Sequence, residues 1–451
     1  MKTFGWWAIL RVGLVQAAMG AVVVLTTSTL NRVMVVELAL PALVPGFLVA
    51  MHYLVQVARP RMGHGSDIGR RRTPWIVGGM AALAAGGTGA ALSTAWMGSH
   101  PVAGFAAAAL AFLCIGIGVS ACGTSLLVLL AQRVAPPQRA AAATVVWLMM
   151  IVGFALTAGI AGALLDPYSP ARLVAVSAGV SLVAFVLSVV AISGLEGEGA
   201  PAAEQAGQTA PRATSHATSH AGFRAALAEV WAEPAARAFT VFVFISMLAY
   251  SAQDLILEPF AGSALGFTPG ESTRLSGTQH AGVLLGMVAA ALAGRGPGGR
   301  RFGSLRAWQV GGCALSALAL LGLVAAGLVG PRWPFKANVF VLGVANGAFS
   351  IAAIAAMMKL SGEGRRAREG VRMGLWGAAQ AVAFGLGGLV GTGASDLARW
   401  AIGSPGAAYA AVFACEAALF VLAAGLALRA GRATSQRRAP LELGAAGLET
   451  R

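Results

Sequence analysis

The sequence has few charged and few aromatic residues for its length. Of its 451 residues, 11% are charged and 7% are aromatic, whereas 57% are hydrophobic. Soluble domains carry roughly 25% charged residues. Too little polar surface is therefore available to cover a water-soluble particle, which excludes a soluble enzyme, a disordered protein and a nucleic-acid-binding protein. The composition predicts a polytopic membrane protein, and the 60 glycines agree, because small residues let membrane helices approach closely.

Acidic residues and cysteines are also scarce. The 17 Asp and Glu residues stand against 32 Lys and Arg residues, which gives a formal net charge of +15. In a membrane protein, such an excess is expected in the cytoplasmic loops. The 4 cysteines lie in apolar runs without a CxxC spacing, so the sequence predicts neither a metal site nor a disulfide framework.

Twelve apolar segments approach the length of about 20 residues that a helix needs to cross a bilayer. The segments are rich in Ala, Leu and Gly and do not alternate in polarity, which argues against membrane β-strands. We therefore predict an all-α integral membrane fold with twelve transmembrane helices. The predicted spans are 8–30, 38–58, 75–96, 102–131, 140–164, 172–194, 236–257, 274–294, 305–328, 335–358, 372–393 and 406–428.

The distribution of positive charge predicts the orientation. An even number of spans places both termini on one side of the membrane. Most of the Lys and Arg residues fall on that side, so we expect both termini in the cytoplasm. The exceptions are Arg32, Arg172, Arg274, Arg332, Lys336 and Arg399.

The longest polar stretch divides the spans into two groups of six. We predict an N-terminal six-helix bundle over 1–195, a cytoplasmic linker over 196–235, a C-terminal bundle over 236–430 and a cytoplasmic tail over 431–451. The linker is rich in Pro, Gly, Gln and Ser, and we expect it to be partly disordered with a short interfacial helix. Two pseudo-symmetric bundles joined in this way are the plan of the major facilitator transporters.

The loop after the second span resembles the major facilitator loop signature, in which Gly, Asp, Gly and two arginines follow in that order. Glycine permits a tight turn, and an aspartate can sit near a helix N-terminus and pair with arginines. The equivalent loop in the second half lacks the aspartate, so we predict one cytoplasmic latch. It consists of Gly63, Asp67, Gly69, Arg70 and Arg71.

Related polar stretches occur at the ends of spans one and seven. Equivalent residues in two pseudo-symmetric halves lie equally far from the axis between them, so Arg32 and Asp254 can pair if that distance is short. Glu258, one helical turn after Asp254, could share the arginine. The alternative is a set of separately solvated charges. The predicted outer gate comprises Arg32, Glu37, Gln253, Asp254 and Glu258.

Three stretches resemble the PucC/LhaA family: 30–42, 253–260, and the loop over 66–74. The resemblance implies a major-facilitator-like protein of the bacterial inner (intracytoplasmic) membrane. It also implies an assembly factor that binds or delivers bacteriochlorophyll, or a precursor, to single-span light-harvesting antenna polypeptides. Anionic lipid is a further expected partner, because the cytoplasmic loops are rich in arginine. We expect no enzymatic activity, because the sequence has no nucleophile elbow, GK[ST] loop or HExxH motif.

Polar residues inside the spans are the candidates for a pigment site. His52 and Gln56 lie one turn apart in span two, and His280 lies in the equivalent span eight. A neutral imidazole is a reasonable axial ligand for the magnesium of a chlorin; the alternative is a hydrogen bond to a neighbouring helix. Trp147 and Trp376, in spans five and eleven, could line a pigment-sized cleft or simply pack in the core.

Glu416 lies deep within span twelve. An acidic group at that depth faces protein or water, so it could bind a coupling proton or form a hydrogen bond to another helix.

Two other functions remain open beside pigment delivery. One is a secondary transporter of a small solute, either proton-coupled or facilitated, and the other is an assembly scaffold that binds no pigment.

Overall fold

The computed structural model describes residues 4–56, 71–135, 138–196, 228–293, 303–362 and 369–446. These residues form helices and connecting loops without a strand, as the all-α prediction requires. Eleven helices are long and apolar enough to cross a membrane, and the shorter apolar helix α2 completes the predicted set of twelve. The chain is thus a multi-pass membrane protein. The helices are α1 (Trp6–Glu37), α2 (Leu43–Val55), α3 (Thr73–Met97), α4 (Pro101–Arg133), α5 (Arg139–Leu164), α6 (Pro170–Ile192), α7 (Pro234–Leu265), α8 (Pro269–Ala293), α9 (Leu305–Val329), α10 (Phe335–Gly362), α11 (Glu369–Ile402) and α12 (Pro405–Ala446).

Proline and glycine mark many of the helix ends. Helices α4, α6, α7, α8 and α12 each begin at a proline, whose missing N–H costs nothing in the first turn of a helix. Helix α7 stops at Gly266, which adopts a φ of 72°. A residue with a side chain is strained in that left-handed conformation, so glycine is the usual residue after a helix.

Helix α1 is longer than the predicted span and changes its winding near its end. Two π-helical segments, Leu25–Thr29 and Val33–Glu37, flank a short α-helical stretch at Leu30–Arg32. The Thr26 hydroxyl donates to the carbonyl oxygen of Val23, 2.8 Å away, and so satisfies an acceptor next to the irregular winding. The polar residues that were expected to end the span therefore remain inside the helix.

Two separate hydrophobic cores define the two bundles. In the N-terminal bundle α1 packs on α5 and α6, α3 packs on α4 and α6, and α2 packs on α4. In the C-terminal bundle α7 packs on α11 and α12, while α10 packs on α8 and α9. The bundles meet where α5 packs on α8, where α2 packs on α11, and where the end of α1 touches α7 and α8. This is the predicted arrangement of two six-helix bundles.

Glycines bring several of these helices into backbone contact. A Cβ atom added to Gly286 of α8 would overlap the carbonyl oxygen of Val344 in α10, and one added to Gly343 would overlap that of Gln279. Close approach of this kind is how small residues stabilise membrane helix pairs. The high glycine content is therefore used in packing.

The far end of the bundles is the end at which odd-numbered helices finish and even-numbered helices begin. The near end is the opposite end, where the chain enters α1. Most of the predicted latch (Gly63, Asp67, Gly69, Arg70) and residues 197–227 of the predicted linker lie outside the described residues. Arg71 is exposed just before α3. The latch stays a prediction.

Candidate functional site between the bundles

Polar and charged side chains are concentrated where α1 meets α7 and α8. Helices α7 and α8 are consecutive and antiparallel, so residue numbers rise along one helix as they fall along the facing helix. Glu258 of α7 faces Ser276 of α8, and it also accepts a hydrogen bond from the Ser28 hydroxyl of α1. One turn further from the far end, Asp254 lies within electrostatic range of His280. The site therefore joins both bundles through α1, α7 and α8.

Arg32 is the cation of this cluster and is only 2% exposed. Its guanidinium forms an ion pair with Glu37 and donates to the carbonyl oxygen of Phe267, 2.6 Å away across the bundle interface. Gly262 lies directly against the guanidinium, since an added Cβ would be 2.9 Å from a terminal nitrogen. Arg32 thus links α1 to the end of α7 and the loop that follows it.

The predicted pair between Arg32 and Asp254 is not formed in this conformation. The ion pair that Arg32 makes within the described part of the chain is with Glu37, whereas Glu258 lies in its electrostatic field. The π-helical winding explains the choice, because its i→i+5 spacing brings Glu37 one turn above Arg32. The gate as a functional unit stays a prediction.

Gln253, the remaining gate residue, is completely buried. Neither its amide nitrogen nor its amide oxygen finds a hydrogen-bond partner among the described residues. Buried amides are nearly always hydrogen-bonded, and an exception points to a missing ligand, water or alternative arrangement. The amide of Gln253 is therefore a buried polar group at this interface whose partner is still to be identified.

His280 is buried, and its two ring nitrogens have different roles. Nδ1 lies 2.8 Å from the carbonyl oxygen of Ser276, and because a carbonyl can only accept, Nδ1 carries the hydrogen. Nε2 makes no hydrogen bond to a described residue and is not among the fully enclosed polar atoms. The ring packs edge-on against Phe154 of α5, with centroids 4.9 Å apart. The lone pair of Nε2 is thus left for a ligand.

His52 and Gln56 lie beside each other, and their contact occupies one ring nitrogen of the histidine. The Gln56 amide nitrogen lies 3.1 Å from Nε2 of His52, so this ring nitrogen is engaged within α2. The imidazole also packs against Tyr53, with ring centroids 4.9 Å apart. Of the two histidines, His280 therefore presents its Nε2 more readily to a ligand.

An aromatic strip crosses from one bundle to the other near these histidines. Tyr53 of α2 lies 5.6 Å from Phe384 of α11, and Phe384 lies 5.9 Å from Tyr250 of α7. All three are half-buried. The site predicted from the sequence did not include these residues, although the sequence has only 4 tyrosines and two of them stand here in predicted spans. That scarcity was the available signal.

The two tryptophans proposed for the cleft lie in different surroundings. Trp376 is completely buried and packs edge-on against Phe239 within the C-terminal bundle, so in this conformation no part of it can touch a ligand. Trp147 of α5 is 38% exposed and keeps a surface that a ligand or lipid can contact. Only Trp147 is placed to line a cleft.

Glu416 is buried in α12, which packs on α7, α9 and α11. Neither carboxyl oxygen has a hydrogen-bond partner among the described residues. The side chain belongs to the C-terminal bundle and is not part of the α1, α7 and α8 cluster. Its role as a proton site stays a prediction.

A carboxyl group closes the near end of the N-terminal bundle. Glu196 accepts hydrogen bonds from the backbone N–H of Arg72 and Thr73 and from the Thr73 hydroxyl, and its own carbonyl accepts from Arg133. Burial disfavours its ionisation, but these hydrogen bonds and the nearby Arg133 charge outweigh burial and lower the pKa of Glu196. The ionised carboxylate therefore fixes the start of α3.

The described residues contain no group of three or more His, Cys, Asp or Glu side chains placed to hold a metal ion. The interface combines one histidine with a free lone pair, a buried and a half-buried carboxyl, a buried arginine and a strip of aromatic rings. Such an arrangement can hold a large ring with a Lewis-acidic centre, or it can bind and release protons.

Solved structures of transporters share the overall architecture of this chain. A D-xylose–proton symporter structure gives a TM-score of 0.70 at 14% identity, covering 94% of this chain and 97% of that chain. The inward-facing, unoccupied bacterial homologue of the lysosomal transporter Spinster gives 0.67 at 15% identity, covering 95% and 97%. At these identities the likeness establishes the major-facilitator-like fold alone.

Sequence comparison identifies the family. The family model described as PUCC protein matches residues 29–434, so the chain belongs to this family, as the resemblance implied. A relative named "Bacteriochlorophyll synthase 44.5 kDa chain", from Rhodobacter capsulatus, is 50% identical over 97% of this chain and 98% of its own length. A second relative from Rhodobacter capsulatus, named "Protein PucC", is 31% identical over 93% of this chain and 91% of its own length.

Proposed function

We propose that this protein is an assembly factor that holds bacteriochlorophyll, or a hydrophobic precursor, between its two bundles and hands it to light-harvesting antenna polypeptides. The names of its relatives support a connection with bacteriochlorophyll. The observation that carries the proposal is the free Nε2 of His280 at the bundle interface.

His280 has the arrangement expected of an axial ligand. A ligating histidine usually donates its other N–H to a carbonyl or carboxylate, which fixes the tautomer and makes the ligating nitrogen more basic. The Ser276 carbonyl does this for Nδ1. Phe154 supplies an apolar surface beside the ring, where a chlorin magnesium meets little competing water.

The aromatic strip supports a flat, conjugated cargo. Tyr53, Phe384 and Tyr250 extend across the interface with half-buried rings, and offset or edge-on contacts between such rings add to simple burial. A long isoprenoid tail could leave between helices and remain in lipid, so no aqueous central channel is required.

The proposed setting is the bacterial inner, intracytoplasmic membrane, with both termini in the cytoplasm. The predicted partners are single-span antenna polypeptides, which would dock on an outer helix face rich in small residues, and anionic lipid near the arginine-rich loops. We propose that the role is non-enzymatic despite the word synthase in a relative's name. Pigment supplied to the purified protein should therefore be recovered chemically unchanged, as judged by chromatography and mass spectrometry.

Absorption spectroscopy of the purified protein tests the proposal. The protein, isolated in mild detergent from pigment-producing cells, should carry a near-infrared chlorin band. His280→Leu should reduce the bound pigment at least about tenfold, as expected for losing a metal ligand's contribution. His100→Leu is the matched control, because His100 lies in the exposed loop before α4 and bonds Trp96. Unchanged pigment in a folded His280→Leu variant would refute the assignment.

Proton-coupled secondary transport is the second candidate function. The specific observation in its favour is the pair of carboxyls, half-buried Asp254 and buried Glu258, on the helix that lines the bundle interface. Uphill solute uptake into vesicles, driven by a proton gradient and without bound pigment, would favour it. Antenna polypeptides that co-purify with the protein in the absence of any pigment would instead favour a scaffold.

A further inference from the structure

Two aspartates cross between the bundles at the far end. Asp396 of α11, in the C-terminal bundle, accepts from the backbone N–H groups of Ala42 and Leu43, each 2.8 Å away, at the start of α2. Helix α2 has no other side-chain cap at its N-cap residue, Ala42. The carboxylate therefore supplies from one bundle the cap that a helix of the other bundle lacks, and the helix dipole favours its charge.

Asp166 connects the bundles in the opposite direction, but it accepts from side chains and not from backbone N–H groups. It follows α5 in the N-terminal bundle, and it accepts from the Thr268 hydroxyl at 2.9 Å and from Arg274 of α8 at 3.0 Å. Gly270, in the first turn of α8, lies so close that an added Cβ would overlap the Asp166 carboxyl. The start of α8 thus rests on a carboxylate of the other bundle.

The two contacts are related by the internal symmetry of the fold. Asp166 lies just after the end of α5 and Asp396 lies near the end of α11, the equivalent helices of the two bundles. Each of these equivalent helices contacts the even-numbered helix of the opposite bundle, α8 or α2. One design is therefore used twice, with the bundles exchanging roles.

Glycine allows the helix backbones to meet beneath each carboxylate. A Cβ on Gly162 of α5 would crowd the Gly270 carbonyl oxygen of α8, and a Cβ on Gly46 of α2 would overlap the Thr392 hydroxyl of α11. The far end is consequently closed by direct contact between the bundles. At the near end, the described ion pair Glu233–Arg372 and the Glu196 contacts each lie within one bundle.

We propose that Asp166 and Asp396 are a symmetry-related pair of clasps that hold the far end shut, and that each broken clasp shifts the bundles towards separation there. The bonds that each clasp loses are charge-assisted, and bonds of that kind are strong enough for the ratio of open to closed molecules to rise about tenfold per clasp. This inference concerns the movement of the bundles and does not depend on the identity of the cargo.

Distance measurement by pulsed electron paramagnetic resonance tests the clasps. Spin labels are placed at Val102 in α4 and Trp400 in α11, which are 85% and 84% exposed at the far ends of opposite bundles. The four native cysteines are replaced first. The full-length parent should give one main distance, and Asp166→Ala with Asp396→Ala, which removes both acceptors, should add a longer one.

Glu271→Gln is the matched control, because Glu271 also lies at the far end of α8 but bonds Thr268 within its own bundle. It should leave the distance distribution unchanged. If the double variant does not fold, Arg274→Gln, which removes the cationic partner of Asp166 but leaves its Thr268 bond, should raise the longer population several-fold. A folded double variant, or a folded Arg274→Gln variant, with the parental distance distribution would overturn the proposal.

Discussion

Replacing Arg32 by methionine should destabilise the protein strongly, because a buried cation would be removed from among carboxylates. Arg32 is 2% exposed, and Glu37, its ion-pair partner, is 33% exposed. Glu258 lies buried in the same electrostatic field. Breaking a buried ion pair on one side typically costs about 3–5 kcal/mol, since the remaining charge is left unpaired. The partial exposure of Glu37 lets water screen part of that penalty, so we expect a loss of about 3 kcal/mol in the free energy of unfolding.

Equilibrium unfolding in mixed micelles with a denaturing detergent, followed by tryptophan fluorescence, measures this loss. The double variant Arg32→Met with Glu37→Gln should recover a substantial part of it, because both members of the pair are then neutral. Arg237→Met is the matched control; Arg237 is exposed near the start of α7 and should change stability by less than about 0.5 kcal/mol. A single Arg32→Met variant as stable as the parent, or a double variant less stable than the single, would refute the reasoning.

Three further predictions concern parts of the fold outside the interface. The pKa of Glu196 is lowered from its ordinary value of 4.5, so the ionised carboxylate stabilises the fold above about pH 4.5. This stabilisation is lost as the pH falls further and the carboxylate of the folded protein is protonated. The thermal midpoint of Glu196→Gln should therefore fall less on acidification than that of the parent. Gly286→Ala should cost about 1–3 kcal/mol through overlap with Val344, measured by unfolding in mixed micelles, whereas Gly311→Ala, which points into open space, should be neutral or slightly stabilising. Trp376→Ala should cost about 3–5 kcal/mol in the same assay, because it empties a fully enclosed core position.

The fold follows from the sequence through the length and composition of its apolar runs. Span count, bundle division and the all-α class depend on hydrophobic length, which a bilayer requires of every crossing helix. The end of α1 was placed too early, because Asn31 and Arg32 are polar and polar residues usually lie in the headgroup region. Here the C-terminal bundle covers both side chains, and Asn31 donates to the carbonyl of Leu255. A contact between distant parts of the chain thus replaced water as the partner.

The polar residues of the candidate site could be picked out from the sequence, whereas the contacts between them could not. Polar residues within apolar spans are costly and therefore conspicuous, so Arg32, Asp254 and His280 stood out from the sequence alone. Which of them meet depends on helix winding and on the register between neighbouring helices. Arg32 pairs with Glu37 and not with Asp254 because of the π-helical spacing, which could not be predicted from the residue pattern.

The register of α7 against α8 decides what the remaining charges can do. Because these helices are antiparallel and joined by a short loop, the facing of Glu258 with Ser276 brings Asp254 towards His280 one turn further in. Nδ1 of that histidine is held by the Ser276 carbonyl, and the ring as a whole lies within electrostatic range of the Asp254 carboxyl. The short loop between α7 and α8 thus sets the register that places Glu258 opposite Ser276 and Asp254 near His280, so these contacts depend on the loop and not on any single residue.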